Sequence, residues 1–322
     1  MNSKVFLGLL ILVFVFICVI LTSSLVSIIF LTSKQTNESL RLVDLLPGPA
    51  SNNLLVPLKG KINIDARETT NQKDSLFCIK RNISRAIRIL NGKEALPNSF
   101  PWMASLRLFK EQNLYDHFCA GVLISKKVVL TAAHCVNLRK TDEILVVFGL
   151  HYRTDLSNSI MNNTYGVSKI IIHENSGEND IALLVLSKTV NFSQNIYPIC
   201  LTKENDLKLF YSSVANVIGW GLKSIKQQSL ILQQTQLTIL DKNDLRCSIH
   251  LKESVKDKLF CALHISKIEN ISTICSGDSG GPLFVYYENK WILLGIVSFV
   301  QTYFSSENNE YFCDPSLPSF YT

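Results

Sequence analysis

The chain has 322 residues, of which 47% are hydrophobic and 18% charged, and its formal net charge is +6. Glycine and proline together number only 23, so the composition excludes a disordered or collagen-like chain. Nine cysteines are too many for an ordinary cytosolic protein and too few for a disulfide-dense miniprotein. The cysteine count therefore predicts a large extracellular domain held by a few disulfides.

An apolar run covers residues 5–31, between Lys4 and Lys34. Its 27 residues exceed the roughly 20 that a membrane-spanning helix needs. A cleaved signal peptide has a shorter apolar region of roughly 7–15 residues. We therefore predict an uncleaved signal anchor with residues 1–4 in the cytoplasm. Cleavage near Ser24, which would give a secreted protein, is the alternative.

Five N-glycosylation sequons follow the apolar run, and they begin at Asn37, Asn82, Asn162, Asn191 and Asn270. Such sequons accept glycans in the secretory pathway. Together with the cysteines, they predict that the C-terminal side of the anchor is extracellular. The expected topology is that of a single-pass type II protein of the cell membrane.

Residues 32–88 show no sustained hydrophobic period and contain Pro47, Gly48, Pro49 and Pro57, which is typical of an extended stem. The stem holds ten basic and five acidic residues, whereas residues 89–322 hold 21 of each. The whole basic excess therefore lies in the stem and at Lys4. Net charge gives residues 89–322 no case for binding nucleic acid.

Beyond the stem, short apolar runs rich in β-branched residues recur between Gly, Asn, Ser and Lys. Examples are residues 128–132, 144–148, 181–186 and 291–300. This spacing predicts an all-β sandwich or barrel. Residues 242–252 are compatible with one short surface helix.

Three short segments carry chemistry. Residues 275–282, Cys-Ser-Gly-Asp-Ser-Gly-Gly-Pro, set Ser279 among glycines, which expose a hydroxyl and let successive N–H groups point to one place. His134 lies among small residues in Thr-Ala-Ala-His-Cys, and Asp180 precedes a buried apolar run. A buried carboxylate needs a partner, and an imidazole would serve. Taken singly, the same segments also fit a Gly-rich turn, a structural histidine and an edge carboxylate.

In the order His, Asp, Ser, these segments resemble the chymotrypsin- or trypsin-like serine proteases, peptidase family S1, and the anchored chain resembles a type II transmembrane serine protease. The resemblance covers residues 89–322 and includes Phe100-Pro-Trp102, His117-Phe-Cys119, Pro198-Ile-Cys-Leu201, Gly219-Trp-Gly221 and Pro318-Ser-Phe-Tyr-Thr322. It implies a peptidase domain of two six-stranded antiparallel barrels, with the active site in the cleft between them. The usual C-terminal helix of the family is missing from this sequence. The alternative function is therefore a catalytically impaired binding or regulatory module.

The resemblance also implies a role for each residue of the site. Ser279 is the nucleophile, His134 the general base and then the acid, and Asp180 the residue that orients the histidine. The backbone N–H groups of Gly277 and Ser279 form the oxyanion hole. Ser298 accepts the substrate backbone and supports Asp180. The remaining histidines are expected to be structural or on the surface.

By the same resemblance the chain is a zymogen. Cleavage after Arg88 frees the amine of Ile89, which pairs with Asp278 and orders the oxyanion loop. The activating protease is trypsin-like or, because Arg85 and Arg88 fit the pattern Arg-x-x-Arg, a proprotein convertase. The other expected partners are protein or peptide substrates and protein protease inhibitors.

The resemblance pairs eight of the cysteines and leaves Cys18 unpaired in the anchor. The implied disulfides are Cys119–Cys135, Cys247–Cys261, Cys275–Cys313 and Cys78–Cys200. No cofactor and no metal are expected, and Leu150 occupies the position of an acidic ligand in calcium-binding members.

The substrate-binding residues implied by the resemblance are Thr273, Ile274, Ser298, Val300 and Ser319. Thr273 stands at the floor of the S1 pocket in place of the aspartate of trypsin-like members. Val300 and Ser319 replace wall glycines. With no carboxylate placed to meet Arg or Lys, we expect a preference for small or medium apolar P1 residues. An expanded loop, residues 302–312, precedes Cys313 and is expected to shape the cleft.

Overall fold

The computed structural model describes residues 93–109, 115–154, 161–202, 206–224, 227–241, 243–264, 274–305, 310–314 and 316–322. The predicted cytoplasmic tail, anchor and stem, and the junction after Arg88, lie outside these residues. Among the described residues, no helix is both long enough and apolar enough to cross a membrane.

The described strands are listed here in chain order: β1 Lys93–Glu94, β2 Met103–Phe109, β3 Tyr115–Leu123, β4 Val128–Thr131, β5 Ile144–Phe148, β6 Thr164–Ile172, β7 Ala182–Leu186, β8 Cys200–Leu201, β9 Val214–Gly219, β10 Leu222–Ser224, β11 Gln227–Gln228, β12 Gln233–Ile239, β13 Phe260–Leu263, β14 Pro282–Tyr287, β15 Lys290–Val300, β16 Thr302–Ser305, β17 Glu310–Cys313 and β18 Ser319–Tyr321. Helix α1 covers Ala133–Val136 and helix α2 covers Leu245–Ser248. Single 3-10 turns lie at Thr141–Glu143, Asp206–Phe210 and Glu253–Val255.

The first barrel closes in the order β2-β3-β4-β7-β6-β5. All its pairings are antiparallel, and β5 returns to β2 with Phe148 opposite Ala104. Its strands are rich in Val, Ile and Leu, which suit the pleated, half-buried surface of a sheet. Inward side chains such as Leu106, Val146 and Leu184 are completely buried.

The second barrel runs β12-β13-β18-β15-β14-β9, and the pairing of β9 with β12 closes it. Strand β1 adds to β12, and β8 lies parallel to β15. The expected architecture of two six-stranded antiparallel barrels is therefore confirmed. The sequence also predicts a short surface helix within residues 242–252. The structure has a single helical turn there, α2, and the Asp244 carboxylate caps it by accepting the N–H of Arg246 at 2.9 Å.

An aromatic cluster joins the two barrels. Trp102 of the first barrel packs against Phe284 and Trp291 of the second, with ring centroids 5.2 and 5.8 Å away. All three side chains are buried. Large aromatic rings in contact bury much apolar area, so this cluster holds the two barrels against each other.

The expanded segment before Cys313 forms a hairpin of β16 and β17. Its register places Thr302 opposite Cys313. The hairpin leaves the end of β15, the strand that carries Ser298 and Val300, so it lies next to the predicted cleft.

Candidate active site

Strand pairing brings His134 and Asp180 together. In the β4–β7 ladder Thr131 lies opposite Ala182. His134 follows the end of β4 and Asp180 precedes the start of β7, so both residues lie at the same end of this strand pair. The Nδ1 atom of His134 lies 2.7 Å from Oδ2 of Asp180. The backbone N–H of His134 donates to Oδ1 at 2.8 Å, so both carboxylate oxygens hold the histidine in one orientation.

Ser298 completes the surroundings of this carboxylate from the second barrel. Its hydroxyl donates to Oδ2 of Asp180 at 2.7 Å. The β15–β18 register shifts between Val297 and Phe299, and such a bulge re-aims the side chain at that point. Burial by itself would raise the pKa of Asp180, but the hydrogen bonds from His134 and Ser298 outweigh it and hold that pKa below its ordinary value.

The loop that carries Ser279 lies against the first barrel. The Ser279 carbonyl accepts a hydrogen bond from the N–H of Ala120 at 2.8 Å. Gly280 has φ +78°, and a Cβ there would lie 2.4 Å from the Ala120 carbonyl oxygen. Only glycine permits this approach. Within the part of the chain that the structure describes, the Ser279 hydroxyl makes no hydrogen bond, to His134 or to another group.

Two backbone N–H groups beside Ser279 are available to a ligand. The Ser276 carbonyl accepts a bond at 3.1 Å from the first N–H of β10, and the Asp278 carbonyl accepts one at 2.8 Å from Gly281. In a trans peptide the C=O and N–H point in opposite directions, so the N–H groups of Gly277 and Ser279 face the other way. Neither donates to any described residue.

Asp278 lies buried in a cavity made by glycines. Its Oδ1 accepts from the N–H of Gly221 at 2.7 Å and its Oδ2 from the N–H of Cys275 at 3.0 Å. A Cβ at Gly219 would lie only 1.9 Å from Oδ1. Burial raises the pKa of Asp278 to about 6, although the two N–H donors act against the increase. The cavity is also lined by Val217, Ile218, Gln234, Thr235 and Ile274.

His117 contacts the loop that carries Ser279, although its one sequence signal is its place in the segment His117-Phe-Cys119. Its Nε2 lies 3.0 Å from the Gly277 carbonyl oxygen and its Nδ1 lies 2.9 Å from the Ser105 hydroxyl. Burial lowers its pKa to about 4, so the ring is neutral at pH 7. The neutral ring holds one side of the loop that presents the Gly277 N–H.

All but one of the predicted S1 residues lie in the described part of the chain. Thr273 lies outside the described residues, and Ile274 is buried in the core of the second barrel. Val300 pairs with Ser319 across β15 and β18. The Ser319 hydroxyl donates to the Ala262 carbonyl at 3.2 Å and lies 2.9 Å from the phenolic oxygen of Tyr321.

Three disulfides lie among the described residues: Cys119–Cys135, Cys247–Cys261 and Cys275–Cys313. These are pairs that the resemblance implies. Cys200 is also disulfide-bonded, and its predicted partner Cys78 lies outside the described residues. Cys119, His134 and Cys135 approach one another closely enough to suggest a metal site. Two of the three are a disulfide, and a disulfide offers no thiolate to a metal.

The two barrels, and a His–Asp pair in the cleft beside a glycine-flanked serine, define a chymotrypsin-like serine protease. The sequence model of the Trypsin family matches residues 89–321. The chain belongs to this family, which makes it a serine endopeptidase by class.

One curated relative is coagulation factor XI of Bos taurus, which is 30% identical over 219 residues, or 66% of this chain. The matched region is 33% of that protein, so the chain spans about a third of its length.

Proposed function

We propose that this chain hydrolyses peptide bonds through an acyl-enzyme on Ser279. The observation that carries the proposal is the combination of the His134–Asp180 pair with two unpaired N–H groups beside the serine. A serine needs a base to lose its proton and donors to stabilise the oxyanion that its attack creates. We assign the role of base to His134 and the role of donors to the N–H groups of Gly277 and Ser279.

In this mechanism His134 Nε2 takes the proton of the Ser279 hydroxyl as Oγ attacks the substrate carbonyl carbon. The carbonyl oxygen becomes an oxyanion and accepts from the N–H groups of Gly277 and Ser279. His134 then gives its proton to the leaving amine as the C–N bond breaks, and water repeats the cycle to release the acid. Asp180 stays ionised and stabilises the imidazolium, which agrees with its lowered pKa.

A fluorophosphonate probe tests the proposal, since it forms a covalent bond only with an activated serine. The processed chain is expected to label, and Ser279→Ala is expected not to. Ser316→Ala is a matched control, because Ser316 is exposed and, among the described residues, its hydroxyl hydrogen-bonds to Asp314 alone. Absence of labelling in folded, processed protein would instead favour the binding or regulatory module.

Proteolytic processing after Arg88 is a second part of the proposal. The cavity at Asp278 supports it, because an ammonium group beside the carboxylate would relieve the cost of a buried charge. Apolar side chains of Ile218 and Ile274 line the same cavity and suit the side chain of Ile89. The chain is then a zymogen until Ile89 becomes its new N-terminus.

Two substitutions in the stem test the processing step. Arg88→Gln is expected to prevent both the new Ile89 terminus and the activity, measured by N-terminal sequencing and peptide hydrolysis. Arg85→Gln separates the two classes of activator, since only a convertase requires that arginine. Activity that arises without an Ile89 terminus would contradict the scheme.

The specificity proposal is a preference for small or medium apolar P1 residues. Thr273 and Ser319 support it, because neither offers a charge to Arg or Lys at the positions that the resemblance assigns to the S1 pocket. Val300 pairs with Ser319 across β15 and β18, and its side chain, in place of a glycine, would narrow the S1 pocket. Peptides that differ only in Ala, Val or Arg at P1 provide the test, and strong cleavage of the Arg peptide with none of the others would refute it.

The last part of the proposal is an extracellular protease domain attached to the cell membrane by residues 5–31, with secretion as the alternative. The disulfides support an oxidising compartment, and the sequon residues Asn162 and Asn191 are exposed. Its partners are protein substrates, an activating protease and protein inhibitors. Alkaline extraction of membranes, compared with a variant lacking residues 5–31, distinguishes an anchored from a secreted chain, and glycosidase treatment tests the sequons.

A further inference from the structure

An exposed ledge formed by Phe118, Leu138 and Arg139 lies outside the residues assigned so far. The Arg139 guanidinium carbon lies 5.9 Å from the centre of the Phe118 ring. Leu138 is 93% exposed. Arg139 is exposed as well. The ledge therefore offers an apolar surface and a cation side by side.

The ledge adjoins the catalytic histidine through a disulfide. Phe118 directly precedes Cys119, whose bond to Cys135 ties β3 to the turn that carries His134. The Cys135 sulfur lies 3.7 Å from Nε2 of His134. In the proposed mechanism Nε2 is the atom that protonates the leaving amine, so the leaving-group part of a substrate passes over this disulfide.

The acyl part of the substrate lies elsewhere. Ser298, on β15, contacts Asp180 at the opposite end of the imidazole, 2.7 Å from Oδ2, and β15 is the strand proposed to accept the substrate backbone. A peptide that spans the site from β15 across Ser279 therefore reaches the ledge with the residues that follow the scissile bond.

The charge of the ledge is available to a substrate. Among the described residues, no carboxylate lies within ion-pair distance of Arg139. Two acids follow closely in the chain, Asp142 and Glu143, but the Glu143 carboxylate accepts the backbone N–H of Lys140 at 3.1 Å. A guanidinium over an aromatic ring keeps its charge and its donors.

We propose that the ledge selects substrates with an acidic side chain among the first three residues after the scissile bond. A carboxylate at one of these positions pairs with the guanidinium of Arg139. Leu138 packs against the apolar part of the adjacent substrate residue. This inference rests on the proposed function, because it concerns which peptides the enzyme cleaves fastest.

Internally quenched peptides provide the test. They share one acyl side and carry Asp, Asn or Lys in turn at each of the first three leaving-group positions. The processed chain is compared with Arg139→Ala and Arg139→Glu, and Lys140→Ala is the matched control because its side chain does not contact Phe118. Fluorophosphonate titration gives the concentration of competent enzyme in each preparation.

We expect kcat/KM to be about two- to fivefold higher for Asp than for Asn at one position, as for an exposed charge pair. High salt should reduce this ratio, and Arg139→Ala should abolish it. Arg139→Glu should instead cleave the Lys peptide faster than the Asp peptide. Lys140→Ala should keep it. Equal cleavage of the Asp and Asn peptides, or a ratio that survives in Arg139→Ala, would overturn the inference. Failure to cleave any of the peptides, with no labelling by the probe, would instead refute the proposed function.

Discussion

Gly219 is the position in the site where an added side chain would come nearest to another atom, the carboxylate of Asp278. Replacing Gly219 by alanine would put a Cβ 1.9 Å from Oδ1 and 2.8 Å from the carboxyl carbon. Real Cβ atoms essentially never come within 3.0 Å of another heavy atom. The carboxylate of the variant must therefore move by about 1 Å, and it is held by hydrogen bonds on both oxygens.

This displacement would disturb the proposed oxyanion hole directly, because Asp278 lies between Gly277 and Ser279, whose N–H groups are proposed to bind the substrate oxygen. A misplacement of about 1 Å costs roughly 10²-fold in rate, and loss of one oxyanion donor costs roughly 10²- to 10³-fold in kcat. We therefore expect Gly219→Ala to lower kcat by about 10²- to 10³-fold. The His134–Asp180 pair belongs to the first barrel and should be unaffected.

The assay is hydrolysis of a fluorogenic peptide by the processed chain, with thermal unfolding as the measure of folding. Gly177→Ala is the matched control, since a Cβ there meets nothing within 4 Å. If Gly219→Ala destabilises the chain, adding Asp278→Ala removes the clash and should recover the melting temperature but not the activity. Full kcat in Gly219→Ala, or an equal loss in Gly177→Ala, would refute the reasoning.

Three further predictions concern the groups around this loop. Ser298→Ala removes a hydrogen bond to the ionised Asp180 and should lower kcat about tenfold; loss of that donor should also raise the pKa of Asp180 and shift the acid limb of the pH–rate profile to higher pH. His117→Phe keeps an aromatic ring but leaves the Gly277 carbonyl without its partner, so kcat should fall about tenfold while KM changes little. In the unprocessed chain, Asp278 with its raised pKa loses stability as pH rises from about 4 to about 6, whereas His117 with its lowered pKa gains stability over pH 4 to 6.5. Because these contributions oppose each other, the free energy of unfolding is compared between the parent and Asp278→Asn by denaturant titration at several pH values. Between about pH 4 and pH 6 the free energy of unfolding of the variant should rise by about 3 kcal/mol relative to the parent. A difference that does not vary with pH would contradict the burial of the carboxyl group.

The sequence predicts the two-barrel fold well because it contains several distinct short motifs in one order. Local runs such as residues 144–148 coincide with β5. The pairing that matters for the site, β4 with β7, joins residues about fifty positions apart, and periodicity alone cannot reveal it. The motif order identified His134 and Asp180 as partners, and the register explains why they meet.

His117 shows where sequence reasoning stops. A histidine among ordinary neighbours has no local signal of function, and the expectation was a structural or surface residue. Its contacts are to Ser105, twelve residues away, and to Gly277, 160 residues away, so only the closed fold brings them together. Its burial and its two hydrogen-bonded nitrogens agree with a structural role, and the structure it supports is the loop of Gly277 and Ser279.

If the chain is processed after Arg88 as proposed, the energetics of Asp278 would connect that cut with chemistry at Ser279. Above pH 6 the buried carboxylate is ionised, and among the described residues two N–H groups stabilise it; burial of a charge is costly unless it is paired. A ligand shifts a conformational equilibrium only by its differential affinity for the two states. An amine that enters the cavity binds only where the carboxylate points inward, and in the proposed scheme the same arrangement presents the N–H groups of Gly277 and Ser279 to a substrate. In that scheme the free energy of the one ion pair is the quantity that couples processing to catalysis.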